Sequence, residues 1–213
     1  LVMALCAAAA LAMIVVISVF RDTVKNEEIF NNKIDAKLIA AIPHEIKKKS
    51  MKDHVKRKEK GLFIDGNPYI SLRFAETFHK IAAKIEYMKS RTGDKVFAIT
   101  SVAENEGKST VAANIAIALA GRGYKVALVD LDIRKPSMYK IFDFNQEIKN
   151  EFSDVLSNKI PMSKLTFYRH KKSNLIIAFN KKSYDTSYDF FSIKILEKYI
   201  SVLRQKVDFV IID

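Results

Sequence analysis

Hydrophobic and polar positions from residue 71 onward fall into a repeating succession of helical and extended stretches. Phe74, Phe78, Ile81, Ala82 and Ile85 recur at helical spacing within 71–89, after a turn marked by Gly66-Asn67-Pro68. Residues 96–99 form a short apolar run that predicts a buried strand, and 111–119 are apolar at almost every position, as in a buried helix. Residues 126–129 predict a second buried strand, parallel to the first because a helix lies between them. Further strands are expected at 175–179 and 207–213, with an amphipathic helix over 193–206 between them. The succession predicts an α/β, doubly wound, mostly parallel sheet.

The first 20 residues break this pattern. They carry no charge and suffice, at about 1.5 Å per residue, to cross a hydrocarbon core of roughly 30 Å. A secretory signal would need a basic start and a small-residue cleavage site, so the expected element is a transmembrane helix, the last part of a membrane module. Arg21, Lys25 and the basic chain beyond place the following residues in the cytoplasm, against the cell membrane.

The formal charge is +12, and much of the excess lies in 44–60, where Lys47, Lys48, Lys49 and Arg57 are among eight basic residues facing Glu45, Asp53 and Glu59. That composition reads as a solvated linker that can also contact anionic lipid headgroups. Nucleic acid is excluded as a partner, because no aromatic interleaving or recognition module accompanies the charge. The expected organisation is a membrane helix over 1–20, a basic linker over 21–68 and one α/β domain over 69–213. Cys6 is the single cysteine, so neither a disulfide framework nor a thiolate metal site exists.

Chemistry concentrates where strands should end. Glu104-Asn105-Glu106-Gly107-Lys108-Ser109-Thr110 joins the first strand to the apolar helix. A strand turning through Gly-Lys-Ser/Thr into a helix points backbone N–H groups and a helix N-terminus at a phosphate. Lys108 can bridge β- and γ-phosphate oxygens, and the Ser109 hydroxyl can ligate Mg²⁺. The pattern departs from the full P-loop at Val102, where Gly is wanted, and Glu104 and Glu106 must turn their side chains outward. After the second strand come Asp130 and Asp132, able to hold Mg²⁺ or accept a proton from a hydroxyl. The 207–213 stretch closes on Asp213, in the manner of a Walker B strand whose carboxylate steadies Mg²⁺.

Three pieces together resemble the bacterial tyrosine kinases of capsule and exopolysaccharide export, in the same P-loop NTPase group as MinD and ParA. They are 106–110 with 112–116, the run 129–136 (Val-Asp-Leu-Asp-Ile-Arg-Lys-Pro), and 208–213. Asp130-x-Asp132-x-Arg134 is the most specific, and Ala103 stands where MinD and ParA carry a signature lysine. Residues 20–28 with 40–43 resemble the juncture after the last membrane helix in kinases fused to a chain-length regulator.

The resemblance implies an autophosphorylating, ATP- and Mg²⁺-dependent protein-tyrosine kinase regulating polysaccharide synthesis. Lys108, Asp130, Asp132 and Arg134 would be catalytic, residues 104–110 would bind the nucleotide, and Ser109, Asp130 and Asp213 would hold the metal. Implied partners are a membrane activator module, tyrosine-bearing proteins and the polysaccharide export and polymerisation machinery. The family's Glu-x-x-Arg-x-x-Arg self-association motif aligns with Glu76, His79 and Ala82, so both arginines are missing and the homo-oligomer motif is degenerate. Segment 152–156 follows Glu151 where the family has Gly, and 180–188 replaces a Gly/Pro/Asn-rich loop; Tyr184 and Tyr188 read as loop tyrosines. Two alternatives stay open: a MinD/ParA-like regulatory ATPase, and an inactive nucleotide-binding regulatory fragment.

Overall fold

A computed structural model describes residues 6, 10–13, 35–45, 63–64, 70–171, 173–184 and 192–213. The chain divides into two units, Leu1–Ala41 and Ile42–Asp213. In the first, Cys6 and residues 10–13 are helical; the rest of the proposed transmembrane segment and most of the basic linker lie outside the described residues. Among the described residues no helix is long and apolar enough to cross a membrane.

Among the described residues of the second unit, the first helix is α1 (Leu72–Thr92). Ser71 caps it, its Oγ accepting the Phe74 N–H at 3.2 Å, and Gly93 ends it in the left-handed region at φ 76° with its N–H on the Lys89 carbonyl. The five apolar positions at helical spacing are the buried ones. They pack on α2 (Lys108–Gly121), which lies against the sheet on its other side. A helix covered on two sides is apolar nearly all round, which is why Ala112 to Ala120 are all buried. Its one buried amide is satisfied: Asn114 Nδ2 donates to the Thr110 carbonyl and Oδ1 accepts the Ile64 N–H, each at 2.9 Å.

Strands β1 (Val96–Ala98), β2 (Val126–Val129), β3 (Tyr168–Arg169), β4 (Leu175–Ala178) and β5 (Phe209–Ile212) form one sheet in the order β1-β5-β2-β4-β3. The first four in that order run parallel; β3 pairs antiparallel on β4. The fold is thus α/β with a mixed sheet. Short helices α3 (Met138–Ile141) and α4 (Phe152–Leu156) and a 3₁₀ turn (Met162–Lys164) follow β2, and α5 (Ile193–Lys206) precedes β5. Ala127, Val129, Ala178 and Val210 pack with Phe152, Leu156, Tyr199 and Leu203 from α4 and α5. Central strands buried on both faces explain the unbroken apolar runs. The β1 run differs from expectation: Val96 and Phe97 are half-buried and Ala98 is exposed. It is one of the sheet's two outer strands, covered less than β2, whose four residues are all buried.

Two predictions arise here. Tyr199 is 3% exposed and its hydroxyl has no partner among the described residues. Tyr199→Phe is therefore expected to stabilise the chain by about 1 kcal/mol in urea unfolding, because an unsatisfied buried hydroxyl costs folding energy. Glu86 on α1 accepts the Tyr124 hydroxyl and the Arg122 guanidinium (Nε at 3.0 Å), clamping α1 to the chain between α2 and β2. The Tyr124 bond, then Arg122, holds the Glu86 carboxyl below its usual range, and the same bond pushes the Tyr124 phenol up. The depressed carboxyl stabilises above its ordinary value and fails as pH falls through its lowered one; the raised phenol stabilises fully below its ordinary value and fails as pH rises through its raised one. Glu86→Gln should therefore lower Tm at pH 7, with the difference closing below about pH 4 and above about pH 10.

Candidate functional site

The loops after β1, β2 and β4 and Asp213 after β5 lie at the carboxyl ends of the parallel strands, where open α/β sheets bind ligands. Residues 99–107 lead from β1 to α2. Gly107 sits at φ 89°, in the left-handed region that only glycine enters freely, and as N-cap it offers no side-chain acceptor. The first-turn N–H groups of a 14-residue helix are thus left for an anion. Asn105 is also left-handed, at φ 64°.

Lys108 opens that helix and reaches across to two strand ends. Its Nζ donates to Asp213 Oδ1 at 3.0 Å and lies 3.5 Å from Asp132 Oδ2. Burial alone would push the ammonium's pKa down, but the bond to Asp213, its charge and Asp132 outweigh this and hold it above its ordinary value. Asp213 follows β5 directly; its N–H bonds the Val129 carbonyl at 3.0 Å and its side chain is fully buried. Asp130 follows β2 and is wholly buried, its Oδ1 accepting the Asp132 N–H at 3.1 Å. Burial, and then the Asp213 carboxylate, push the Asp130 carboxyl well above the usual carboxylate range.

Ser109 stands in the first turn of α2, and its Oγ accepts the Ser137 hydroxyl at 3.0 Å. Asp132 Oδ1 accepts the Lys135 N–H at 2.9 Å, while Lys135 Nζ pairs with Glu104 at 2.6 Å and so joins two loops. Glu106 accepts the Val102 N–H at 3.1 Å. Thr110 gives its carbonyl to Asn114, and Arg134 has an exposed side chain. Lys108, Asp132 and Asp213 are therefore brought into one contact group, with Asp130 attached through Asp132. Glu104, Glu106 and Arg134 stand outside it.

The donor set fits a magnesium–nucleotide complex. Asp130 Oδ2 and Asp213 Oδ2 are buried with no partner among the described residues, beside a cation and a helix N-terminus. Unsatisfied buried oxygens of this kind call for a proton or a cation. No three His, Cys, Asp or Glu side chains among the described residues form a ready cage. Mg²⁺ needs none, since it is commonly held by one or two carboxylates, a hydroxyl, water and substrate phosphates.

Sequence reasoning missed Ser137, Lys135 and Asn180. Asn180 follows β4, is fully buried, and donates from Nδ2 to the Asp130 carbonyl at 2.7 Å. A polar residue just past the carboxyl end of an apolar run was the available signal. On α1, Glu76 and His79 are exposed, whereas Ala82 is buried in the core.

Comparison with known proteins points the same way. The ParA family model, described as NUBPL iron-transfer P-loop NTPase, matches residues 93–184. Tyrosine-protein kinase YwqD of Bacillus subtilis is 31% identical over 111 residues, 52% of this chain and 42% of that protein. The succinoglycan biosynthesis transport protein ExoP of Rhizobium meliloti is 43% identical over 65 residues, 30% of this chain and 8% of that one. The solved BceF tyrosine kinase domain superposes with a TM-score of 0.74 over 89% of this chain and 76% of its own, at 16% identity. Septum site-determining MinD proteins are weaker matches. The chain's relatives thus include bacterial proteins named as tyrosine-protein kinases and a succinoglycan biosynthesis transport protein, with MinD proteins matching more weakly, and its fold is that of P-loop NTPases. The chain spans less than half the length of the curated relatives it matches.

Proposed function

We propose that this chain carries the nucleotide site of an autophosphorylating protein-tyrosine kinase that regulates capsular or exopolysaccharide synthesis and export. The observation that carries the reading is the Lys108 ammonium held between Asp213 at 3.0 Å and Asp132 at 3.5 Å, next to two unpartnered buried carboxylate oxygens. An ammonium at the mouth of an uncapped helix suits the β- and γ-phosphates of ATP, and residues 104–110 would wrap them. Ser109, Asp130 and Asp213 would hold Mg²⁺, which would neutralise charge on the phosphate oxygens. Asp130, ionised once the arriving cation displaces its own proton, would otherwise accept the proton of the incoming phenol, with Asp132 and Arg134 supporting the site. The phenol oxygen bonds to the γ-phosphorus, the bridging P–O bond breaks, and ADP leaves with the electron pair.

The kinship with YwqD and the succinoglycan transport protein supports a setting in which 1–20 crosses the cell membrane, 21–68 form a basic cytoplasmic linker and 69–213 the P-loop domain. In that setting the partners are a membrane activator module, tyrosine-bearing proteins, the polysaccharide machinery and anionic headgroups at 44–60. The ParA model and the MinD matches support a second reading, an ATPase that transfers phosphate to water.

The readings separate when the 213-residue chain is incubated with γ-labelled ATP, Mg²⁺ and a tyrosine copolymer. Label on tyrosine is the expected result. Label found in free phosphate alone moves the assignment to an ATPase, and label in neither leaves a nucleotide-binding regulatory module.

A further inference from the structure

We propose that residues 180–184 are a positioning strap for residues 130–134, with Asn180 as the positioning residue; its effect on catalysis rests on the kinase reading above. Regular pairing ends at Val129, and beyond it the neighbouring strands hold two N–H groups, Asp130 on the Ala178 carbonyl and Leu131 on the Asp213 carbonyl, each at 3.1 Å, while the carbonyls of the segment look elsewhere. Three of its carbonyls are held from one neighbouring segment instead. The Asn180 amide donates to the Asp130 carbonyl at 2.7 Å, the Tyr184 N–H donates to the Ile133 carbonyl at 3.0 Å, and the Ser183 hydroxyl donates to the Arg134 carbonyl.

The strap is itself fastened to α4. Asn180 Oδ1 accepts the Ser153 N–H at 2.9 Å, in a position where both residues are fully buried. Glu151, the N-cap of α4, accepts the N–H groups of Lys181 and Lys182 at 3.0 and 2.9 Å with one carboxylate oxygen. The Lys182 ammonium pairs with Asp154 at 3.1 Å, and the Tyr184 hydroxyl donates to Asp154 Oδ1 at 3.3 Å. Helix α4 packs through Phe152 and Leu156 into the sheet's core, so the strap passes a rigid reference from the core to the carboxylates. Phosphoryl transfer depends on positioning, and a displacement of about 1 Å costs on the order of 10²-fold.

The test uses the full chain with Ser183→Ala and Asn180→Ala, and Ser183→Thr as the variant that keeps a hydroxyl. Ser183 is exposed, so its alanine variant should fold even where Asn180→Ala does not. Ser183→Ala should lower kcat roughly 10-fold while leaving KM for ATP within about 2-fold, and Ser183→Thr should restore kcat. Hydrogen exchange should quicken at the Tyr184 and Asp132 amides in Ser183→Ala, a readout that needs no enzymatic activity. Unchanged exchange at both amides overturns the strap, as does a threonine variant as impaired as the alanine one. Quickened exchange in a chain that transfers no phosphate supports the strap and removes the kinase reading instead.

Discussion

Lys108→Met is expected to lower tyrosine phosphorylation by about 10²–10³-fold, the usual cost of removing a preorganised charge from a reacting anion. Methionine keeps the length and apolar stem of lysine, so the change isolates the ammonium. The same variant should lose stability, because Asp213 has a fully buried side chain and would lose its cation 3.0 Å away. Breaking a fully buried pair costs about 3–5 kcal/mol; with the Lys108 side chain 22% exposed, water reduces this to about 1–3 kcal/mol. Adding Asp213→Asn to Lys108→Met removes the stranded charge and should recover most of the stability without recovering activity. Urea unfolding and phosphotyrosine formation, measured on the single and double variants, separate the two roles.

Asp130→Asn should act in opposite directions on activity and stability. Activity should fall by about 10²-fold or more, since the amide can neither be a proton acceptor nor neutralise a divalent cation. Stability of the nucleotide-free chain should rise. Burial and the neighbouring Asp213 keep the Asp130 carboxyl well above its ordinary value, so the folded state favours the protonated form. The folded state is unpenalised below the ordinary carboxylate value near 4, and wild-type stability is lost as pH rises towards the raised one. The variant's advantage in Tm should vanish near pH 4 and grow towards neutrality. Adding Mg²⁺ and nucleotide should stabilise the wild type and do much less for the variant. A Tm difference independent of pH would show that Asp130 is not held protonated.

The helices were the most legible part of the sequence. Helical spacing picked out Phe74, Phe78, Ile81, Ala82 and Ile85, and all five are buried, because one face of α1 meets the domain. The run 111–119, apolar except for Asn114, carried the information that α2 is covered on both sides. Strand order was not legible: nothing local to 96–98 distinguishes an outer strand from the central 126–129, since the difference lies in which neighbours arrive. The pair Tyr168–Arg169 is too short to show any period.

Within the site, Lys108, Asp130, Asp132 and Asp213 stood out because their motifs place charges beside apolar strands. Asn180, Glu151 and Ser183 did not, because their contacts span from 27 to 50 residues and involve backbone groups that no side-chain pattern encodes. Glu151 in particular follows no apolar period, yet its carboxylate holds two amides thirty residues away.

Lys108 is tested most directly by comparing wild type and Lys108→Met side by side, following label from γ-labelled ATP onto tyrosine while nucleotide binding and folding are monitored in the same samples. Phosphotyrosine should accumulate in the wild type, need Mg²⁺, and fall by about 10²–10³-fold in a folded Lys108→Met chain. Equal labelling of tyrosine by the two chains would contradict this, placing the phosphoryl-transfer chemistry somewhere other than the Lys108–Asp132–Asp213 group.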